Sequence, residues 1–172
     1  DATVQFLSND HGILSSLTVA DVNGDNLIDV IIARWNHNNQ LVLNEGNGKY
    51  SAAIDLPGGV IEALYIVAAD VNNDNMLDII IGNMIEPNQL LINEGNGSYS
   101  EAVDLPGAED YTYTWTVVVA DVNNDGMVDI IIGNYGQNNE LLINDGNGSY
   151  SDAIDLRGGY TWTTSIVAVD VN

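Results

Sequence analysis

The feature that most constrains this chain is an internal repeat with a period of about 50 residues. An acidic motif with the pattern Asp-Val-Asn-x-Asp-x-x-x-Asp occurs at 21–29, 70–78 and 121–129, and its first three residues recur at 170–172. A second motif, Asn-x-Gly-Asn-Gly-x-Tyr, follows each complete copy, at 44–50, 93–99 and 144–150. Two motifs that recur in phase indicate one structural unit copied along the chain, and this period is typical of propeller blades.

Each repeat reads as four short strands. The first is apolar and β-branched, and the second is a continuous Ile/Val run, typical of a strand covered on both faces. An Asn-Gly pair before the fourth strand predicts a tight hairpin, because both residues tolerate a positive φ. The fourth strand is less apolar and suits a solvent-exposed edge. The predicted first strands are 17–20, 65–69, 116–120 and 166–169, the second 28–33, 77–82 and 128–133, the third 40–44, 89–93 and 140–144, and the fourth 49–55, 98–104 and 149–155.

Each repeat therefore predicts one four-stranded antiparallel sheet. Because such a sheet has two apolar faces and cannot be stable alone, neighbouring sheets must pack face to face around an axis. The predicted fold is all-β, a β-propeller segment with three complete four-stranded blades and parts of flanking blades. Residues 1–7 match a fourth strand, so we expect flanking sequence or a partner copy to supply the rest of the incomplete blades. The predicted segments are 1–14 (outer strand and connection), 15–63, 64–114 and 115–164 (blades), and 165–172 (first strand of a further blade).

The composition excludes several classes of protein. With 25 acidic against 3 basic residues and a formal charge of −22, the chain lacks the Lys and Arg that hold a phosphate backbone, so nucleic acid is excluded as a partner. The hydrophobic content of 45% indicates a packed core and not disorder. No apolar run approaches the roughly 18 residues of a membrane helix, which predicts no membrane insertion in this segment. The absence of cysteine excludes a disulfide framework and a thiolate metal site.

The three complete acidic loops predict calcium sites, about one ion per loop. Calcium takes six to eight oxygen ligands from carboxylates, amides and main-chain carbonyls, and alternate positions of a tight loop can point inward. The predicted ligands are the side chains at loop positions 1, 3, 5 and 9 and the main-chain carbonyl near position 7. They are Asp21, Asn23, Asp25, Leu27 and Asp29 in the first loop, Asp70, Asn72, Asp74, Met76 (or Leu77) and Asp78 in the second, Asp121, Asn123, Asp125, Met127 and Asp129 in the third, and Asp170 and Asn172 in the partial fourth.

The alternative to a metal site is an ordinary surface turn rich in Asp and Asn. Three copies with three carboxylates each favour the metal, because clustered like charges within about 4–6 Å repel one another when no cation is present. Magnesium suits the loops less well, since it prefers a stricter octahedron with bound water. An EF-hand is disfavoured because Ile32 and Ile81 stand where its Glu at position 12 would be, and a β-run follows in place of a helix.

The stretch 119–134, VADVNNDGMVDIIIGN, continued by LLINDGNG at 141–148, resembles an FG-GAP/VCBS repeat of the integrin α-subunit type. The resemblance covers essentially the whole chain. It implies a β-propeller, usually seven-bladed, with calcium in the loops between the first and second strands and an extracellular or cell-surface location. The sequence departs from the family in having Asn at loop position 3, where Asp is common, and in lacking a clear Phe-Gly/Gly-Ala-Pro signature.

Aromatic side chains gather before the first strand and after the second strand of each repeat, at the end opposite the acidic loops. Trp35, Met84 and Tyr135 occupy equivalent positions after the second strand, and the entering segments carry Tyr111, Tyr113, Trp115, Tyr160 and Trp162. Exposed Trp and Tyr stack on sugar rings or anchor a protein partner, which makes Trp35, Tyr113, Tyr135 and Trp162 the candidate ligand face. The alternative is an aromatic strand face packed between blades, which is favoured because Leu64 and Ser15 occupy the positions that match Trp115.

Two Asn-Gly-Ser triplets fit the N-glycosylation pattern, with Asn96 and Asn147 as the acceptors. Both lie in predicted hairpin turns, and the corresponding turn of the first repeat carries Lys49 and lacks the pattern. The Asn-Gly pair is already required by the turn, so the triplets have a structural explanation as well.

The sequence predicts a calcium-binding extracellular module for adhesion or for recognition of a protein or glycan. The alternative is a purely architectural repeat of a cell-surface or fibrous assembly, in which neighbouring repeats or copies of the same protein join at their open ends. Catalysis is not expected, because His11 and His37 are neither repeated nor set beside a nucleophile motif. A polysaccharide-active enzyme domain is a weaker alternative that rests on fold analogy alone.

Overall fold

The computed structural model describes residues 12–107 and 113–169, with the backbone alone for 157–161. The outer strand predicted within 1–7 lies outside these ranges. Every regular element in the described residues is a β-strand, which confirms the all-β prediction. Within the same ranges no helix is long and apolar enough to cross a membrane. The strands form three successive antiparallel units, which we call blades A, B and C.

Each blade contains three or four principal strands and a small hairpin at its edge. Blade A contains β1 (Ile13–Ala20), β2 (Asp29–His37), β3 (Gln40–Val42), β4 (Asn44–Gly46), β5 (Lys49–Tyr50) and β6 (Ile54–Asp55). Blade B contains β7 (Ile61–Ala69), β8 (Asp78–Asn83), β9 (Gln89–Leu91), β10 (Asn93–Gly95), β11 (Ser98–Tyr99) and β12 (Val103–Asp104). Blade C contains β13 (Thr114–Ala120), β14 (Asp129–Leu142), β15 (Asn144–Gly146), β16 (Ser149–Tyr150) and β17 (Ile154–Trp162).

Blades A and B share one strand order, in which β1–β2–β3–β6 corresponds to β7–β8–β9–β12. Blade C has the order β13–β14–β17, because the second and third predicted strands form the single strand β14. The small hairpins β4–β5, β10–β11 and β15–β16 turn at Asn-Gly pairs. In the first of them Asn47 and Gly48 have φ values of 54° and 74°, so the predicted positive-φ turn is confirmed.

The fourth strand of each repeat differs from the prediction because it is divided into two short pieces. In blade A the predicted strand 49–55 becomes β5 and β6. The Ser51 hydroxyl accepts a hydrogen bond from the backbone N–H of Leu43 at 2.9 Å, and the Ser51 N–H donates to the Leu43 carbonyl at 2.8 Å. A side-chain acceptor thus replaces a backbone acceptor at this point, and the regular ladder is interrupted.

Residues 163–169 carry no assigned strand, although 166–169 were predicted as one. In blades A, B and C the corresponding strand pairs with the strand that follows its acidic loop. No partner strand is described for 163–169, so no ladder is assigned there.

The core lies between the blades. Ile79 and Ile81 of β8 pack against blade A, whereas the intervening Ile80 packs against blade C. All six residues of β8 are buried, as the continuous apolar run predicted. The blades therefore stack face to face, each contributing alternate residues of its second strand to two different interfaces.

Candidate functional site

The acidic loops join the first and second strands of each blade and close around their own first aspartate. In blade A, Asp21 Oδ1 accepts hydrogen bonds from the backbone N–H groups of Gly24 (2.8 Å) and Asp25 (3.1 Å). Its Oδ2 accepts from the N–H of Asn26 at 2.7 Å. Asn26 has a φ of 64°, the left-handed conformation expected at this loop position. The first carboxylate thus folds the loop into a tight turn.

The third and fifth loop positions are linked to each other. Asn23 Nδ2 donates to Asp25 Oδ2 at 3.0 Å, and Asn23 Oδ1 accepts from the Asp25 N–H at 3.1 Å. Asp25 Oδ1 accepts from the N–H of Leu27 at 2.8 Å. Corresponding bonds recur in the other loops, among Asp70, Asn72, Asp74 and Met76 and among Asp121, Asn123, Asp125 and Met127. The three loops therefore share one conformation.

The ninth loop position differs from the others because its aspartate is fully buried. In blade B, Asp78 Oδ2 accepts from the N–H of Val71 at 2.9 Å and Oδ1 accepts from the N–H of Asn93 at 2.8 Å. Asp29 and Asp129 make the equivalent bonds. This carboxylate joins the start of the acidic loop to the start of the edge hairpin.

Burial raises the pKa of the Asp78 carboxyl. The N–H groups of Asn93 and Val71 act in the opposite direction, and the charges of Asp74 and Asp70 raise the pKa further. The three carboxylates of one loop are therefore close enough to affect one another electrostatically. This is the repulsion that a bound cation would relieve.

The loops offer an all-oxygen donor set, the chemistry that calcium prefers. Within 12–107 and 113–169, however, no three His, Asp or Glu side chains are grouped so that they alone would hold a metal ion. In blade B the Leu77 carbonyl already accepts from Asn93 Nδ2 (3.0 Å) and the Tyr99 hydroxyl (3.2 Å), which leaves Met76 as the candidate carbonyl. The predicted ligands Asp170 and Asn172 lie outside the described residues.

The acidic loops of blades A and B are also bonded to the next blade. Asn93 Nδ2 of blade B donates to the Val22 carbonyl of blade A, and Asn144 Nδ2 of blade C donates to the Val71 carbonyl of blade B, both at 2.8 Å and both buried. Asn73 Nδ2 donates to the Gly126 carbonyl at 3.2 Å and links two loops directly. Sequence reasoning missed these contacts, because it read the repeated asparagine only as part of a hairpin motif.

The aromatic residues lie at the opposite end of the strands. The end of each second strand pairs there with the strand that enters the next blade, as Trp35 opposite Glu62, Met84 opposite Tyr113 and Tyr135 opposite Trp162. This register places all four predicted ligand-face residues at one end of the molecule. Tyr111 and the side chain of Tyr160 lie outside what the structure describes.

Three aromatic rings of blade C form a stacked row. The ring centroids of Trp115 and Tyr135 are 5.4 Å apart with an interplanar angle of 27°, and those of Tyr135 and Trp162 are 5.4 Å apart at 13°. The row is open to solvent, with exposed fractions of 46% for Trp115, 36% for Tyr135 and 74% for Trp162. These rings pack on one another and remain partly available to a ligand.

A pocket of about 350 Å³ lies beside this row. Ser15, Leu64 and Trp115, which occupy the same position in blades A, B and C, converge on it. Trp35 and Tyr65 line it as well. The sequence identified Trp35 but not Tyr65, whose place in the pocket depends on how three blades separated by about 50 residues come together.

The two glycosylation candidates lie where the sequence placed them, in hairpin turns. Asn96 and Asn147 are both exposed and both have a φ of 55°. Their accessibility is compatible with modification, and their backbone conformation gives a structural reason for the same residues.

The stacked antiparallel units and their shared loop geometry define a β-propeller-like repeat protein. A family model described as an FG-GAP-like repeat matches residues 21–81, 70–132 and 121–172, which together span most of the chain. The chain belongs to this family, as the sequence motifs predicted.

A search of curated proteins gave no match. Among solved structures, the chain is similar to one described as the crystal structure of BBS1N in complex with ARL6DN, soaked with lead, with a TM-score of 0.50 and 13% identity. The match covers 88% of this chain and 44% of that chain, so the chain spans less than half the length of the similar structure. At this identity the likeness supports the propeller-type fold alone.

Proposed function

We propose that this chain is a calcium-binding repeat module of an extracellular or cell-surface protein, and that it recognises a protein or glycan ligand at the aromatic end of its blades. The repeated loop conformation carries the proposal, since three loops present the same oxygen donors at the same positions. The proposal assigns the chain no catalytic role.

In each loop the ion would be held by the side chains at positions 1, 3, 5 and 9 and the carbonyl at position 7. In blade A these are Asp21, Asn23, Asp25, Asp29 and the Leu27 carbonyl. A bound calcium ion supplies positive charge that offsets the repulsion between carboxylates and cross-links the loop. Because the loops of blades A and B are bonded to the next blade, rigid loops there would also stabilise the blade interfaces.

Thermal unfolding in calcium and in chelator tests the metal proposal. A ligand that binds only the folded state adds about 2.7 kcal/mol per site at a concentration of 100 times its Kd, so calcium should raise the melting temperature by several degrees. Magnesium at the same ionic strength should raise it less. An identical melting temperature in calcium and in chelator would contradict the proposal.

Binding to a glycan array, or capture of one defined protein ligand, tests the recognition proposal. Trp162 has the most exposed aromatic side chain of the row, so Trp162→Ala should weaken binding while leaving the fold intact. Binding that is absent from the start, or unchanged in this variant, counts against the aromatic end as the ligand face.

An architectural role is a second candidate, favoured by the outer face of blade A. Leu17 is 53% exposed, whereas its equivalents Ile66 and Val117 are each 2% exposed because a preceding blade covers them. Asn44 bonds the Ile28 carbonyl of its own blade and, within 12–107 and 113–169, makes no cross-blade bond like that of Asn93. This face has the composition of a blade interface.

Sedimentation over a hundredfold range of concentration tests the architectural role. Self-association should appear in the unmodified chain and be lost in Leu17→Lys, which places a charge on the open apolar face. A chain that stays monomeric at every concentration excludes assembly between copies through this face.

A further inference from the structure

The pocket beside the aromatic row has walls that are mainly aromatic and apolar. Trp35, Tyr65 and Trp115 contribute aromatic rings, and Ile13 and Leu64 contribute aliphatic surface. Its volume of about 350 Å³ lies at the lower end of the range of small-molecule sites, which is roughly 300–1,000 Å³. A group of a few non-hydrogen atoms, and not a long chain, is therefore the natural occupant.

The Trp115 ring, which forms one wall of the pocket, is fixed by stacking in the ligand-free protein. This ring stacks on Tyr135, which stacks in turn on Trp162. On the other wall, Trp35 lies in β2, whose backbone pairs with both β1 and β7 at this residue. Rings fixed in this way lose little conformational entropy on binding, which favours affinity.

The polar groups of the lining select against a sugar. The described residues that line the pocket carry the hydroxyl groups of Ser15, Ser16 and Tyr65 and the indole N–H groups of Trp35 and Trp115. A sugar ring carries several hydroxyls, and most of these would lose their hydrogen bonds to water without replacement, at a cost of about 1–3 kcal/mol each. Ser15 Oγ is itself buried, so it offers no hydrogen bond to a bound molecule.

The local charge favours a cation. Glu62 pairs with Trp35 across β7 and β2, which places a carboxylate on the same face of the sheet as one ring of the pocket. Aromatic faces attract a cation through their quadrupoles, and several rings around one quaternary ammonium group form an aromatic cage. A quaternary ammonium also needs no hydrogen bonds, which matches a lining with few polar groups.

We propose that the pocket between Trp35 and Trp115 binds a quaternary ammonium group. The inference rests on the recognition function proposed above and gives it a ligand class. The cationic head lies among the three aromatic rings. Choline has this chemistry and is the probe for the test.

NMR spectroscopy of the indole N–H groups provides the readout, because the chain has three tryptophans. Choline should shift the signals of Trp35 and Trp115 and leave that of Trp162 nearly unchanged, since Trp162 does not line the pocket. The neutral control is 3,3-dimethylbutanol, which has the shape of choline without its charge. We expect choline to bind at least about tenfold more tightly. Equal affinity for the two would overturn the proposal.

The repeats themselves provide variants that should fold. Leu64 occupies the position of Trp115 in blade B, and Met84 occupies that of Trp35, so Trp115→Leu and Trp35→Met keep apolar side chains already used there. Each should remove the preference for choline over the neutral compound. Val103→Ala is the control, because Val103 is exposed in β12 and does not line the pocket, and it should change choline affinity by less than about twofold. A loss of choline binding in this control would show that binding does not depend on the pocket and would overturn the assignment.

A parallel titration with phosphocholine distinguishes between the sources of the ammonium group. Tighter binding of phosphocholine would assign the ammonium group to a lipid or glycan headgroup. Tighter binding of choline would assign it to a free or peptide-borne ammonium. Either ranking supports the pocket as the binding site. If neither compound shifts the indole signals, the ammonium proposal fails. If Trp162-dependent binding of a glycan or protein then persists, the recognition function survives without it.

Discussion

Each acidic loop contains both exposed and buried carboxylates, and their different surroundings indicate different roles. Asp74 is exposed and, among the described residues, bonds groups of its own loop. Asp78 is fully buried and holds the backbone N–H groups of Val71 and Asn93, which lie on different segments of blade B. The exposed carboxylate of Asp74 can bind and release a cation, whereas the buried carboxylate of Asp78 stabilises the fold with or without a cation.

We predict that two Asp→Asn substitutions in this loop differ in their effect on the stability of the calcium-free protein. Asp78→Asn replaces one acceptor oxygen with an N–H₂ group that faces a backbone donor, so it should destabilise the calcium-free protein by about 2 kcal/mol. Relief of the cost of burying a charge offsets only part of this loss, because a backbone N–H is left without its partner. Denaturant unfolding in chelator measures the effect.

Asp74→Asn is the matched control for that prediction. It lies at an exposed position, so it should change calcium-free stability by no more than about 0.5 kcal/mol. It should, however, reduce the stabilisation that calcium adds. If both variants unfold alike in chelator, the assignment of separate roles is incorrect.

At the edge of blade A, Asp55 gives a prediction about pH. Hydrogen bonds from Gln40 (2.9 Å) and Asn38 (3.0 Å) hold the pKa of the Asp55 carboxyl below its usual value of 3.8. Its contribution to stability is therefore present above pH 3.8 and is lost as the pH falls through the lower folded-state pKa. An NMR titration should give a midpoint below 3.8, moving upward in Gln40→Ala. A midpoint of 3.8 or higher in the unmodified protein would contradict this account.

At the scale of the elements, one asparagine in each of blades B and C bonds its blade to the preceding one. Asn93→Ala and Asn144→Ala each remove a buried bond to the carbonyl of the preceding acidic loop, so each should destabilise the protein by about 1–2 kcal/mol. Asn44→Ala is the control, because the Asn44 side chain bonds the carbonyl of Ile28 in its own blade. Chemical denaturation of the three variants measures the difference. An equal loss in all three would show that the cross-blade bond adds nothing.

The strands themselves could be predicted because their signals are local. The Ile run of β8 reports burial on both faces, and the Asn47-Gly48 pair reports a positive-φ turn. The division of the fourth strand was missed because it depends on the Ser51 hydroxyl, a side chain that competes with the backbone ladder. A hydrogen bond to one serine side chain does not change the pattern of apolar and polar residues, so this pattern could not predict the interruption.

The candidate sites were predicted to different extents for the same reason. An acidic loop is nine consecutive residues, so its donors can be read from the sequence. The pocket joins Ser15, Leu64 and Trp115, which are equivalent by repeat but differ in chemistry, so equivalence alone gave no signal of a shared cavity. The burial of Asp78 was also missed, since its carboxylate matches the loop pattern and its partners lie at residues 71 and 93.

At the scale of the whole molecule, acidic loops and aromatic residues occupy opposite ends of the same strands. In blade A, Ala20 pairs with Asp29 at one end and Ile13 pairs with Trp35 at the other. A strand of eight residues spans roughly 25 Å, more than twice the Debye length at physiological salt. Calcium would therefore affect ligand binding through the rigidity of the blades and not through direct electrostatic contact.

The stacking of three blades predicts an uneven stability along the chain. Blade B has a neighbour on each face, and β8 is buried throughout and paired on both sides by β7 and β9. In blade A, β1 pairs with β2 alone among the described strands and exposes Leu17 and Val19. Local opening is easiest where fewest apolar contacts must be broken.

Hydrogen exchange followed by mass spectrometry should therefore find its slowest amides in β8 and faster exchange in β1. A gap of about 1.4 kcal/mol in opening free energy corresponds to a tenfold difference in rate, and we expect at least this much between the two strands. If a second copy covers the face of blade A at high concentration, β1 should become protected while β8 is unchanged. Equal protection of both strands in the dilute monomer would show that blade A is already covered, which would contradict the open face described for Leu17 and Val19.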